Sequence, residues 1–337
     1  MKEVVLVTEP EFVKADKVFR SEADFEVRSA PVEEAGLAEA VRTAASRAVI
    51  IGTTPYVGPL YEALGERAGG RGGIMARFGV GHDGVDKAKA RSRGIVVTNT
   101  PGVLDTSVAE MVLSLMLALV RRVPQRDAAV KTARWEPGPG VELAGKALAI
   151  IGLGAIGRRV ARATHFGLGM RVLAADVLPP TELEAAEGKR MDQVRAAFGL
   201  ALYSTDVDAV ITQADVVSLH IPGRPATDGF MGSERLSLMR PGAILVNTSR
   251  GSVVDEAALY DALAGGRLGG AALDVLAEEP YRPADPAKDL RTLPNVILTP
   301  HVASNTFEAN ERMARTALEN VRRFFTGRMD GLTRVDA

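Results

Sequence analysis

Apolar positions along this chain fall into two rhythms. Short runs rich in β-branched residues, bounded by turn residues, alternate with longer stretches in which apolar residues recur at helical spacing. In the first third the runs are 3–7 (EVVLV), 48–51 (AVII), 74–77 and 95–98 (IVVT), with helix-like segments such as 33–46 between them. A second series follows at 146–151, 171–175, 215–219, 243–247, 270–274 and 296–299. Alternation of this kind is the mark of a parallel sheet covered by helices. It predicts an α/β chain of two doubly wound units, the first sheet ending near residue 100 and the second complete with six strands.

Between the two series, Asp105 to Arg122 reads as a buried helix joining the units, because Ser107 and Glu110 have capping-box spacing and a long apolar run follows. Residues 135–140 (WEPGPG), 177–181 and 280–289 are rich in Pro, Gly or charge and read as turns and exposed loops. The last amphipathic stretch, 305–326, stops at Gly327 and could pack on either unit.

Composition narrows the chemistry. A length of 337 residues with 46% apolar content suffices for two buried cores. The 41 Lys and Arg against 42 Asp and Glu leave no overall field favouring nucleic acid or a membrane surface, so a charged ligand must be recognised locally. Zero cysteines exclude disulfides, thiol catalysis and cysteine-ligated metals. The four histidines, His82, His165, His220 and His301, include no local metal-ligand pair, and no metal is expected. The opening MKEVVLVTEP is too short in apolar residues for a signal-peptide core, and Met111 to Val120 is about half the ~20 residues of a bilayer crossing. A soluble, cytoplasmic protein is expected, with no membrane or nucleic-acid partner.

Residues 146–157, KALAIIGLGAIG, run a buried strand into Gly152, Gly154 and Gly157 at GxGxxG spacing and then into a helix. The first glycine suits a tight turn, the second lets backbone approach a pyrophosphate, and the third lets helix and strand pack closely. The helix N-terminus then offers free N–H groups to the phosphates. The next strand ends at Asp176, 24 residues beyond Gly152, where a carboxylate would hold the ribose hydroxyls and repel a 2′-phosphate. NAD is therefore the expected cofactor, over NADP and over FAD.

Oxidising an alcohol with a nicotinamide needs a group that takes the hydroxyl proton, and a carboxylate substrate needs a cation. His301 follows the sixth strand of the second series, Arg250 the fourth and Glu279 the fifth. All three should lie beyond the carboxyl ends of the strands, where doubly wound folds bind ligands. A carboxylate beside an imidazole favours its protonated form, and a guanidinium offers a planar fork to a 2-oxo acid.

These motifs resemble those of the D-isomer-specific 2-hydroxyacid dehydrogenases. The likeness spans roughly residues 45–325 and rests on RFGVGHDGVD, GIVVTNTPGVLDTSVAEMVLSLMLAL, the glycine turn with Asp176, ADVVSLHIP, RPGAILVNTSRGSVVDEAAL, GGAALDVLAEEP and LPNVILTPHVAS. It implies a Rossmann NAD-binding domain at 105–301, and a discontinuous, flavodoxin-like substrate domain at 1–104 with 302–337. It implies that Arg250 binds the substrate's carboxylate and keto oxygen, that His301 is the acid/base and that Glu279 pairs with it, with Glu278 left exposed. Backbone at Val80 and Gly81 would grip the carboxylate, in an active site formed between the domains. Ala155 and Ile156 would lie under the pyrophosphate; Thr248, Ser249 and Asp274 would line the nicotinamide side; Thr106 would touch the nicotinamide; His220 would help close the pocket. A homodimer formed through the NAD-binding domain is implied as well.

Other residues are weighed lower. His82 reads as a turn residue, His165 as structural and Trp135 as packed. Formate dehydrogenases of this architecture carry glutamine where Glu279 stands. Phosphoglycerate dehydrogenases place an arginine in the segment matching IIGTTPY, where this chain has Gly52, Thr53 and Thr54. A small, unphosphorylated 2-oxo acid is therefore favoured over 3-phosphoglycerate. An NAD(H)-sensing, corepressor-like binding protein is the alternative from a different class. Residues 178–203 form a longer connection than usual, read as an extra helix at the adenine end with no assigned role.

Overall fold

Every apolar run marked above pairs in parallel, as strands buried on both faces do. The computed structural model describes residues 2–65 and 72–335, so the first residue of the chain and the last two of its tail lie outside the described residues. Among these, one sheet contains β1 (Val4–Thr8), β2 (Glu26–Ala30), β3 (Ala48–Ile51), β4 (Ile74–Arg77) and β5 (Val96–Thr98), in the order β2-β1-β3-β4-β5. The other contains β6 (Ala147–Ile151), β7 (Arg171–Ala175), β8 (Leu200–Ser204), β9 (Val216–Leu219), β10 (Ile244–Asn247), β11 (Gly270–Leu273) and β12 (Val296–Leu298), in the order β12-β11-β10-β9-β6-β7-β8.

Two strands were not foreseen, and both lie at sheet edges. β2 (EVRSA) pairs only with β1 and buries only Ala30, so it lacks the apolar run of a central strand. β8 pairs only with β7. Its presence makes seven strands where six were expected, and it revises the reading of residues 178–203. That connection is two short helices, Pro180–Glu187 and Met191–Phe198, followed by the edge strand. Ser107 does not cap the joining helix. The helix begins two residues earlier, spanning Asp105–Val120, and its first acidic residue, Asp105, suits the positive end of the helix dipole.

The chain divides into two compact units, Met1–Leu104 with Ser304–Ala337, and Asp105–Ala303. In the first, the long helix Phe307–Phe325 buries Met313, Ala317, Leu318 and Val321, and Asn320 donates from Nδ2 to the Asn99 carbonyl at 3.1 Å. In the second, Val112, Leu115 and Met116 of the joining helix share one core with β6, β7 and the helix after the glycine turn, while Leu236, Leu259 and Leu263 cover the opposite face. The order of strands reverses at β6, whose neighbours are β7 and β9. Doubly wound sheets leave a crevice beyond the strand ends at such a point. Among the described residues no helix is long and apolar enough to cross a membrane.

Candidate active site

β6 runs directly into the glycine turn, and each glycine there meets a different constraint. Gly152 has φ +96°, and a Cβ on it would stand 2.6 Å from the His220 carbonyl oxygen. A Cβ at Gly157 would stand 2.2 Å from the Gly152 carbonyl oxygen, which is the close helix–strand approach that this position demands. Gly154 differs. A Cβ there would meet nothing within 4 Å, so the turn leaves open space on that side. The helix Ala155–Arg162 begins at Gly154 with no side-chain cap, which leaves the first-turn N–H groups, those of Ala155 and Ile156 among them, without a side-chain acceptor.

At the end of β7 the Asp176 carboxylate accepts from Leu153 N–H at 2.6 Å and Leu178 N–H at 3.2 Å, holding it against the turn. His220 follows β9 and donates its backbone N–H to Ile151 at 2.7 Å, tying the two strand ends together. Its Nε2 lies 2.9 Å from Ser218 Oγ, and burial pushes its pKa down to about 4, so the ring is neutral at pH 7. Thr248 Oγ1 is buried with no hydrogen-bond partner. Ser249, by contrast, donates its hydroxyl to Asn247 Oδ1 at 2.7 Å, and Thr106 is exposed in the first turn of its helix. The open side of Gly154, the uncapped helix, the strand-end carboxylate and the unpartnered threonine fit a dinucleotide with phosphates at the turn and ribose hydroxyls at Asp176.

Beyond β10, β11 and β12 the ionisable groups meet. His301 Nδ1 lies 2.8 Å from Glu279 Oε2. Burial alone would raise the Glu279 pKa. The hydrogen bond and charge of His301, the Leu276 N–H and the positive charge of Arg250 together carry it below its ordinary value of 4.5. His301 itself sits at φ +53°, in the left-handed region that histidine visits more readily than most residues. Its backbone N–H donates to the Asp274 carbonyl at 2.8 Å.

Asp274, expected on the nicotinamide side, is only 1% exposed. Its carboxylate is turned into the loop that carries His301, accepting from Thr299 Oγ1 at 2.6 Å, Val302 N–H at 3.0 Å and Ala303 N–H at 2.8 Å. The physical reason is that a buried carboxylate must be satisfied, and three donors of that loop converge on it. Asn247, not singled out in the sequence, does the corresponding work for Arg250. It is fully buried, donates from Nδ2 to the Arg250 carbonyl at 2.7 Å, and accepts from Ser249 N–H at 3.0 Å. Gly251 was also missed. A Cβ on it would lie 1.9 Å from the Leu276 carbonyl carbon, so the loops bearing Arg250 and Glu279 touch backbone to backbone. A glycine after the arginine was visible in the sequence, but its neighbour 25 positions away was not.

Val80 and Gly81 follow β4 in the first unit, partly buried, and the Val80 carbonyl accepts from Asn99 Nδ2 at 2.9 Å. His82 beside them is partly buried. His165 bonds through Nδ1 to the Met170 carbonyl at 3.1 Å and packs on Gly199, where a Cβ would stand 2.3 Å from the ring. Glu278 is exposed and lies 3.7 Å from Arg282. Trp135 is not packed: it is 83% exposed, because its Pro- and Gly-rich loop runs over no core of its own chain.

A glycine turn at the switch point of a parallel sheet, with an acid at the next strand end, defines a dinucleotide-binding domain of the dehydrogenase type. The chain belongs to the D-isomer-specific 2-hydroxyacid dehydrogenases: residues 113–303 match the model of that family's NAD-binding domain. It is 39% identical over 260 residues to a glyoxylate reductase of Korarchaeum cryptofilum, covering 75% of this chain and 73% of the relative. It is 35% identical to a D-3-phosphoglycerate dehydrogenase of Methanocaldococcus jannaschii over 96% of this chain, but covers only 58% of that longer protein. Among solved structures, an NADPH-dependent glyoxylate/hydroxypyruvate reductase from Sinorhizobium meliloti, in complex with NADP and malonate, superposes with a TM-score of 0.77 at 29% identity, covering 97% of this chain and 94% of that one.

Proposed function

We propose that this enzyme interconverts a small, unphosphorylated D-2-hydroxy acid and its 2-oxo acid with NAD, and that Arg250, Glu279 and His301 carry the chemistry. The observation on which this rests is the Nδ1 to Oε2 contact of 2.8 Å between His301 and Glu279, with the charge of Arg250 felt at the same carboxylate.

When bound, NAD supplies the two-electron oxidation or reduction of the 2-carbon. Gly154 and the helix start at Ala155 and Ile156 hold its phosphates, Asp176 its ribose, and Thr248 and Ser249 border the nicotinamide side. Because His301 commits Nδ1 to Glu279, its Nε2 is the nitrogen that passes the proton, giving it to the 2-oxo oxygen on reduction and taking it from the hydroxyl on oxidation. With its pKa held below the ordinary carboxylate value by His301, the Leu276 N–H and Arg250, Glu279 is ionised at neutral pH and so stabilises the imidazolium whenever it forms. Arg250 offers a fork to the carboxylate and the 2-oxo oxygen, orienting the 2-carbon.

Support for an unphosphorylated substrate comes from the first unit. In the segment where phosphoglycerate dehydrogenases place an arginine, Gly52 has the buried Glu11 carboxylate against it, 2.2 Å from where a Cβ would be. That segment therefore offers no arginine to a phosphate. Glyoxylate and hydroxypyruvate are therefore the preferred test substrates, with 3-phosphoglycerate as the alternative. Purified enzyme is expected to oxidise NADH with one of the first two. His301→Ala is expected to slow kcat by about 10²–10⁴-fold, the range for a lost general acid–base group. Unaffected turnover in that variant would refute the assignment of roles. No turnover across a broad panel of 2-oxo acids, with NADH still binding, would favour the corepressor-like reading.

The protein acts in the cytoplasm as a homodimer joined through its NAD-binding domains. Leu117, Val123, Val130, Trp135 and Val141 support the dimer, since they leave 38–83% of their surface exposed within one stretch of the chain. Light scattering on the purified protein is expected to give twice the 35.7 kDa chain mass. A monomer at micromolar concentration would exclude the dimer.

A further inference from the structure

The connection at residues 178–203 lies beside the adenosine corner, and it encloses a cation. Arg158 stands one turn into the helix after the glycine turn. Its Nε donates to the Leu153 carbonyl at 2.8 Å, the same residue whose N–H donates to Asp176. Its Nη1 donates to Glu187, the last residue of helix Pro180–Glu187, in an ion pair whose side chains keep 29% and 15% of their exposure. The guanidinium also lies 5.3 Å over the ring of Phe198, the last residue of helix Met191–Phe198. Two of its three neighbours thus come from the inserted helices. Those helices are anchored: Leu183 and Val194 are buried in the core beneath them, and Tyr203 donates its hydroxyl to the Leu178 carbonyl at 2.6 Å.

A guanidinium beside the ribose-binding acid is the group a 2′-phosphate would seek, because a planar fork pairs with phosphate oxygens bidentately. Here its charge is answered by Glu187 and its donors are turned toward Leu153 and the insertion. The cation nearest to this corner is thus already paired, and Asp176 is left to set the charge that the ribose meets. We propose that Glu187 is a specificity-determining residue, which keeps Arg158 neutralised and turned inward so that the corner accepts NAD and rejects NADP. This rests on the assignment of the glycine turn and Asp176 to the dinucleotide. It adds a second device, one that works by withholding an attraction rather than by adding a repulsion. The NADPH-dependent structural relative at 29% identity shows that a closely similar fold can hold the phosphorylated cofactor.

The test uses the whole enzyme and binding rather than turnover. Calorimetry would measure dissociation constants of 5′-AMP and adenosine 2′,5′-bisphosphate, and of NADH and NADPH, for the wild type, E187Q and E187Q/R158Q. Glutamine keeps the side-chain length and a hydrogen-bond acceptor, and thermal melts would check that each variant is folded. E187Q is expected to bind the 2′-phosphorylated ligands roughly ten-fold tighter, the size of one gained charge-assisted contact, with 5′-AMP affinity changed less than about two-fold. The gain should shrink as salt rises and vanish in E187Q/R158Q. An unchanged ratio of the two affinities in folded E187Q would overturn the proposal and reduce the pair to a structural tie. Wild-type enzyme that bound neither NADH nor 5′-AMP, or preferred NADPH, would instead overturn the NAD assignment beneath it.

Discussion

Gly251 carries no functional group, yet the site depends on it. The loop after β10 can lie against the backbone of Leu276 and Ala277 only if no side chain intervenes, and that contact sets Arg250 beside the loop of Glu279. A methyl group here has backbone on the far side, which cannot rotate away as a side chain could. Gly251→Ala is expected to cost about 1–3 kcal/mol of stability by overpacking. The larger effect should fall on kcat/KM, by roughly 10²-fold or more, because a displacement of about 1 Å at an orienting residue has consequences of that size. Melting temperature and steady-state kinetics on the same sample would separate the two, and a variant with wild-type kcat/KM would show that the loops need no such contact. The left-handed conformation of His301 belongs at this scale as well. A strained residue persists where its surroundings over-determine it, and here Asp274 does so from both its carbonyl and its carboxylate.

At the level of elements, the loop following β12 is held by a residue from β11's end rather than by its own sequence. Thr299, Val302 and Ala303 all donate to one carboxylate, so His301 is fixed by a clamp formed on the neighbouring strand. Asp274→Asn nearly preserves the shape, removes the charge and replaces one acceptor oxygen with a donor. The expected cost is about 1.5–3 kcal/mol, the range for hydrogen bonds to a charged group, read as a lower melting temperature. Because the clamp acts through His301, kcat should fall with it while NADH affinity stays close to wild type. A fall in NADH affinity with kcat preserved would return Asp274 to the cofactor side, where the family resemblance put it. Elements also show where sequence patterning fails. β2 and β8 are edge strands paired on one side, so neither needs the unbroken apolar run by which the central strands are found.

For the molecule as a whole, one titration links the site to global stability. His220 is neutral when folded, with a pKa near 4 against an ordinary 6.5. Between those values the unfolded chain binds a proton that the folded chain refuses. The stabilisation is therefore complete above pH 6.5 and is lost as pH falls toward 4, with a slope of at most about 1.4 kcal/mol per pH unit from this group. His220→Gln should lower stability at pH 7 and flatten the curve between pH 6.5 and 4, measured by urea unfolding at stepped pH. An equally steep acid limb in the variant would show that another group governs it.

The sequence by itself determined what is local: the central strands, the glycine turn with its helix, the acid at the next strand end, and the positions of Arg250, Glu279 and His301 after successive strands. Those features follow from periodicity and from short-range backbone demands, which need no knowledge of partners. The meeting of Glu279 and His301 across 22 positions was implied by the family resemblance and not by any local pattern, and only the tertiary structure decided that Arg158 meets Glu187 across 29 positions and that the Asp274 carboxylate holds the loop of His301. Pairings at such separations are set by strand order and by which carboxyl ends lie side by side. That order is a property of the folded sheet, not of any window of the chain.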